Sequence, residues 1–197
     1  YEAWQGETPI LMGARPVRGF SPYEGAMLQA DTRAAGLTIT RLRQLLFEGR
    51  RQPLARYPNF DPTDPHGGTW AYVDGQVIPM HQDFKDLNLP TKWTWNQSVF
   101  LSRPAALATL HYKETDARPW AHPEQAEVFV FPRFNWVNDI LPVTGRDSSQ
   151  RLLTLGKPAS YEIRAGDRYF VRNVFEELDA PGEWWFDEQE AKLFFQP

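Results

Sequence analysis

The stretch from Asn173 to Pro197, NVFEELDAPGEWWFDEQEAKLFFQP, most constrains what this chain can fold into. Pro181 presets φ and Gly182 accepts a positive φ, so Asp179-Ala180-Pro181-Gly182 predicts a tight turn. Glu183 to Phe186 then reads as a strand, Asp187 to Ala191 as a polar turn, and Lys192 to Phe195 as a returning strand. Seventeen prolines and thirteen glycines are spread along the 197 residues, which extends this pattern to the whole chain. They favour many short elements joined by turns over long helices. The length fits one sizeable domain, or one plus a small appendage.

A succession of strands fills the middle of the sequence. Leu37 to Leu42 alternates branched and polar residues. Gln44 to Phe47, a turn at Glu48-Gly49 and Gln52 to Tyr57 read as a hairpin. Trp70 to Val73 and Gln76 to Met80 flank Asp74-Gly75, a pair suited to a two-residue type I′ turn. Ala126 to Phe131 is a strong strand signal with little polar relief on either face, and Arg151 to Leu155 and Arg168 to Val174 follow. One short helix is expected: Ser102 can cap it, Pro104 sits early, and Ala105 to Leu110 holds good helix formers, although AALATL equally suits a buried strand. The prediction is a mainly β chain with little helix, built as an antiparallel sandwich or barrel-like domain.

Charge and composition exclude several classes. With 21 basic and 25 acidic residues the net charge is −4, which offers no electrostatic footprint for nucleic acid or an anionic membrane. No apolar run approaches the ~20 residues that span a bilayer. Apolar residues at 42% and aromatics at 14% place the chain among folded proteins. Cysteine is absent, so disulfides and thiolate metal sites are excluded, while the compartment stays open. The chain starts at Tyr1 with no basic-then-apolar leader, and its strand-like start is expected of a piece of a larger protein. Nucleotide, dinucleotide and serine-nucleophile fingerprints are missing, and His66, His81, His111 and His122 have no metal-ligand spacing.

Three constellations carry the chemistry that is left. Arg56, Tyr57 and Asn59 stand at the mouth of a loop containing Asp61, Asp64 and His66. These side chains could contact a sugar, or the two aspartates could supply oxygen ligands to calcium. The same Asp-Pro pairs equally initiate turns, and Gly67-Gly68 lets the loop fold back. Glu176, Glu177, Asp179, Glu183 and Asp187 form an acidic segment. Glycoside hydrolysis needs two carboxyl groups, ~5–5.5 Å apart for retention and ~6.5–9.5 Å apart for inversion. Glu183 and Asp187 are the candidates for such a pair, and solvated turn acids would look identical in sequence. The tryptophans form the third set, because sugar C–H faces stack on indoles. Most suit a core, while Trp93, Trp95 and Trp120 have polar or Pro-rich neighbours that favour a stacking platform.

Three separated segments resemble one family. YEAWQGETPILMGARPVRGF resembles an early coil of bacterial right-handed parallel β-helix proteins. RQLLFEGRRQPLARYPNFDP resembles the start of their inserted domain, with its PLARYPN signature. AEVFVFPRFNWVNDILPV and GDRYFVRNVFEELDAPGEWWFDEQEAKLFFQP resemble its closing part. The chain is thus similar to the insertion module of glycoside hydrolase family 141-like proteins. The resemblance implies a first coil over residues 1–20 and an inserted β-rich domain over 21–197 that ends at the return into the helix. It also implies a secreted or periplasmic bacterial parent that degrades polysaccharides, with the remainder of the β-helix as a partner. The catalytic carboxylates are then expected on later coils, so no catalytic residue carries over to this chain. The function expected is an accessory, non-catalytic β domain that shapes or caps a substrate cleft and needs no cofactor. The alternatives are a self-contained hydrolase or lyase using Glu176 to Asp187, and a purely structural domain.

Overall fold

The computed structural model describes residues 4–8, 13–77 and 104–197. Its strands, in chain order, are β1 (Ser21–Pro22), β2 (Leu28–Asp31), β3 (Leu45–Phe47), β4 (Arg50–Gln52), β5 (Arg56–Tyr57) and β6 (Ala71–Tyr72). A one-turn helix α1 (Pro104–Ala108) leads directly into β7 (Thr109–His111). Then come β8 (Glu127–Val130), β9 (Asp139–Asp147), β10 (Leu152–Leu155), β11 (Arg168–Arg172), β12 (Trp184–Asp187) and β13 (Lys192–Phe195). All strand pairs are antiparallel and form two main sheets with a small hairpin beside them. The fold is mainly β and sandwich-like, and the described strands close no barrel.

The larger sheet runs β5-β11-β8-β9-β10-β7, and β6 shares the outer edge of β11 with β5. Period-two alternation sets its core. In β8 and β11, Val128, Val130, Tyr169 and Val171 point inward to meet Leu141, Leu153 and Leu110. On the opposite face Phe129 and Phe170 stack at 4.7 Å with Trp70 against them, which explains why AEVFVF has so little polar relief.

The smaller sheet runs β1-β2-β13-β12. Its terminal hairpin is buried on both faces, so the sequence WWF shows no alternation. Trp184, Phe186, Leu193 and Phe195 pack on one side, and Trp185 and Phe194 pack with Ala55 and Leu178 on the other. The turn before it forms as expected: Gly182 has φ 87°, and the Glu183 N–H donates to the Ala180 carbonyl at 3.2 Å.

The hairpin of β3 and β4 forms around the expected turn, with Glu48 and Gly49 both at positive φ as a type I′ turn requires, but its second arm is Arg50–Gln52 and not Gln52 to Tyr57, whose last two residues pair with β11 instead. Three further expectations need correction. Leu37 to Leu42 is not a strand: Leu37 is buried and Ile39 and Leu42 pack against the Trp184 cluster, so the alternation serves loop packing. Ala71–Tyr72 pairs with β11, and Asp74 is not at the positive φ that a type I′ turn requires of its first central residue; residues 78–80 of that expected hairpin lie outside the described residues. The AALATL stretch is split, helix to Ala108 and strand from Thr109. Within residues 4–8 and 13–20 the structure has turns and irregular backbone without a strand. No helix among the described residues is long and apolar enough to cross a membrane.

Candidate functional site

The acidic segment and the Arg56-Tyr57-Asn59 stretch meet at the seam between the two sheets. Residues 53–57 make that seam. The Ala55 N–H donates to the Trp184 carbonyl at 2.8 Å, the Trp184 N–H returns to the Pro53 carbonyl at 3.1 Å, and from the next residue, Arg56, β5 pairs with β11. One short run of chain therefore borders β12 of the small sheet and β11 of the large one.

Arg56 lies at the centre of the seam and is 7% exposed. Its Nε donates to the Pro58 carbonyl at 2.8 Å and its Nη2 to the Thr69 carbonyl at 2.5 Å. Those two carbonyls flank the loop that holds Asp61, Asp64 and His66, so the guanidinium closes the loop at its neck. The same group lies 3.6 Å above the Phe170 ring centroid. Burial pulls the Arg56 guanidinium down to about 10, and it stays charged at neutral pH. The exposed loop residue expected from sequence is thus a buried clasp. Inside the loop Asp61 accepts from the Thr63 N–H and hydroxyl, and Asp64 from the N–H groups of Gly67 and Gly68. These are Asx-type turns. His66 and Asn59 are exposed, and Asn59 Nδ2 donates to Asp179 at 2.9 Å. Among the described residues no three His, Asp or Glu side chains gather as a metal site would require.

Glu183 faces Arg56 without pairing to its guanidinium. It is 1% exposed, and its carboxyl oxygens accept long contacts of 3.3 Å from the backbone N–H groups of Arg56 and Ala180, with the Asp179 backbone N–H also directed at the group. Burial raises its carboxyl to about 8, so the group is protonated over most of the physiological range. Asp187, its expected partner, caps the hairpin turn by accepting from the N–H groups of Gln189 and Glu190 at 2.8 and 2.9 Å. The pair predicted from sequence is thus one enclosed acid and one turn cap.

Glu177 organises a second cluster. Arg118 grips it with two donors at 2.9 Å, and the Trp120 indole N–H donates to it at 2.5 Å. Glu177 is 1% exposed and Trp120 6%, so Trp120 is a buried support rather than a surface platform. The Arg118 guanidinium also lies 4.5 Å over the Tyr57 ring, whose hydroxyl donates to Asp116 at 2.9 Å. Burial, followed by that hydrogen bond, pushes the Tyr57 hydroxyl up to about 12. A cavity of ≈ 10 Å³ remains between these side chains, room for about one water and far too small for a sugar. Glu176 accepts from the Ala121 N–H at 2.7 Å.

The backbone arrangement has a counterpart among solved structures. In fold, this chain is similar to a glycoside hydrolase. The TM-score is 0.56 at 13% sequence identity, and the match covers 92% of this chain and 28% of that one. The chain therefore spans under a third of the length of the structure it resembles. No family model matches the chain, and no curated protein does.

Sequence reasoning located the acidic segment but missed what surrounds it. Arg118 and Asp116, in the stretch after β7, had no motif to announce them. Their signal lies only in the burial of Glu177 and Tyr57, which demands partners. Trp93 and Trp95 lie outside the described residues. Trp136, which the sequence reading left among the tryptophans suited to a core, is instead 60% exposed.

Proposed function

We propose that this chain is an accessory, non-catalytic β module of a larger secreted bacterial polysaccharide-degrading protein with a right-handed β-helix, where it shapes or caps the substrate cleft. The observation that carries this reading is the fate of the five carboxylates in the acidic segment. Glu177 is held by Arg118 and Trp120, Glu176 by a backbone N–H, Asp179 by Asn59, and Asp187 by its own turn, while Glu183 is enclosed at the seam. A glycosidase acid pair must face the scissile bond across an open site, whereas Glu177 and Glu183 are buried and the exposed or half-buried Glu176, Asp179 and Asp187 are each engaged in a hydrogen bond. The fold likeness to a glycoside hydrolase, of which this chain matches 28%, supports a modular role beside a catalytic region. Of the expected glycan contacts, Asn59 and His66 are exposed on the loop whose neck Arg56 closes, and Trp93 and Trp95 remain part of the proposal.

A second reading, a self-contained hydrolase, draws on one observation. A carboxyl raised to about 8 is what a general acid requires. Both readings meet in one assay, incubation of the chain and of Glu183→Gln with a panel of plant and algal polysaccharides, followed by reducing-end detection. The accessory reading expects no turnover from either. Hydrolysis by the unmodified chain that disappears in Glu183→Gln would replace it with the second.

A further inference from the structure

Trp136 stands at the exposed end of the loop joining β8 to β9. Its indole is stacked on Phe134, with ring centroids 4.7 Å apart and planes 8° from parallel. Phe134 is 4% exposed and is braced edge-on by Tyr161 at 5.1 Å, while the Arg133 guanidinium lies 5.1 Å from its ring centroid. The loop is fixed beneath them. Arg133 takes φ 58°, and its N–H donates to Asp167 at 2.8 Å, on the same carboxylate oxygen that accepts from the Arg164 N–H. Trp136 is nevertheless 60% exposed, between the exposed Asn135 and half-buried Val137, with exposed Asn138 following.

A flat, rigid indole held outward on a buried aromatic base, with neutral amides beside it, matches the needs of a sugar ring. A pyranose with equatorial hydroxyls presents axial C–H groups on its face, which stack on the indole, and hydroxyls at its rim, which amides can meet. Because the ring is already stacked and its loop fixed, little side-chain freedom is lost on binding. An anionic sugar is a poorer fit, since the side chains next to Trp136 in the loop, Asn135, Val137 and Asn138, are uncharged.

We propose that Trp136 on Phe134, flanked by Asn135 and Asn138, is a stacking subsite for a neutral, β-gluco-configured pyranose unit of a polysaccharide. This deepens the accessory reading and rests on it. The test is isothermal titration of the whole chain with cellohexaose, with mannohexaose as the comparator because its axial hydroxyl roughens one ring face. The expected result is measurable binding of cellohexaose that weakens by roughly tenfold or more in Trp136→Ala. Trp136→Tyr should retain most of it, and Trp4→Ala, which removes another exposed indole, should leave it unchanged. Unchanged affinity in Trp136→Ala overturns the subsite even if the chain binds glycan elsewhere. Absence of cellohexaose binding by the unmodified chain also overturns it, and the accessory reading then still stands or falls on its own hydrolysis assay. A collapse of thermal stability in Trp136→Ala without a specific loss of binding would reassign the indole to packing.

Discussion

Glu177 and Glu183 lie six positions apart, and each is 1% exposed, yet the fold treats their charges in opposite ways. At Glu177 an arginine turns its planar fork onto the carboxylate and an indole N–H adds a third donor. The Arg118 guanidinium is held more firmly protonated as a result, chiefly through those hydrogen bonds. At Glu183 the nearby arginine gives its fork to two backbone carbonyls and offers the carboxyl only a main-chain N–H. Burial then dominates, and the cheaper state is the protonated acid. Closeness of an arginine in sequence or space does not decide whether a buried acid keeps its charge. The direction of the donors does.

The contrast can be broken most forcefully at Glu177. Glu177→Ala leaves the Trp120 N–H and the inner edge of the Arg118 guanidinium without their acceptor and opens a hole beside them. The expected loss is about 4 kcal/mol. For a chain of this size that lowers Tm by roughly 8–16 °C, readable by scanning calorimetry. A loss below about 1 kcal/mol would mean that solvent reaching Arg118 compensates, and the cluster would then be ornamental to stability.

Glu183 should betray itself through pH instead. Its folded-state value of about 8 exceeds the ordinary carboxyl value, so the folded chain holds a proton that the unfolded chain has released. Stability from this group is therefore full below about pH 4.5 and is lost as pH rises through 8. Between pH 5 and 8 the expected decline is about 2–3 kcal/mol, allowing for relaxation around the charged form. Glu183→Gln, which cannot ionise, should flatten that part of the urea-denaturation profile. Asp167, raised to about 6 by its own burial, contributes a decline of the same sign at lower pH, and it remains in both proteins. Parallel pH profiles for the two proteins would remove the protonated-acid account of the seam.

Local chemistry made part of this legible in the sequence. Pro181-Gly182, Glu48-Gly49 and the aromatic arms of the terminal hairpin each fix their own backbone, and they formed where expected. What could not be read depends on distant chain. The strand β2 exists because β13 lies beside it, across some 160 positions of sequence (Lys192 opposite Asp31). The longest of the described strands, β9, was hidden by Pro142 and Gly145. The fold accommodates that proline beside a register shift in β10, where the Pro142 carbonyl accepts from the Gly156 N–H just past the end of β10. The candidate site divides in the same way. The presence of acids at 176–187 was visible, but whether each was solvated, paired or protonated depended on Arg118, Trp120 and Arg56 arriving from elsewhere.

The gentlest test asks whether the two acidic environments are mechanically joined. Asn59 Nδ2 donates to Asp179 at 2.9 Å, a side-chain hydrogen bond between the Arg56-clasped loop and the segment that links Glu177 to Glu183. Both residues are exposed, so water replaces either partner readily, and the bond should contribute little. Asn59→Ala is expected to shift the denaturation midpoint by no more than about 0.5 kcal/mol in free energy, with the pH profile of Glu183 unchanged. If stability instead fell by more than about 1.5 kcal/mol, the loop neck would be a working part of the seam. Independence of the two sites would then fail, since sites that share a structural partner do not respond additively. A small effect has the opposite consequence: Asn59 would be free to exchange Asp179 for a sugar hydroxyl at low cost, which is what a glycan contact at the loop mouth demands.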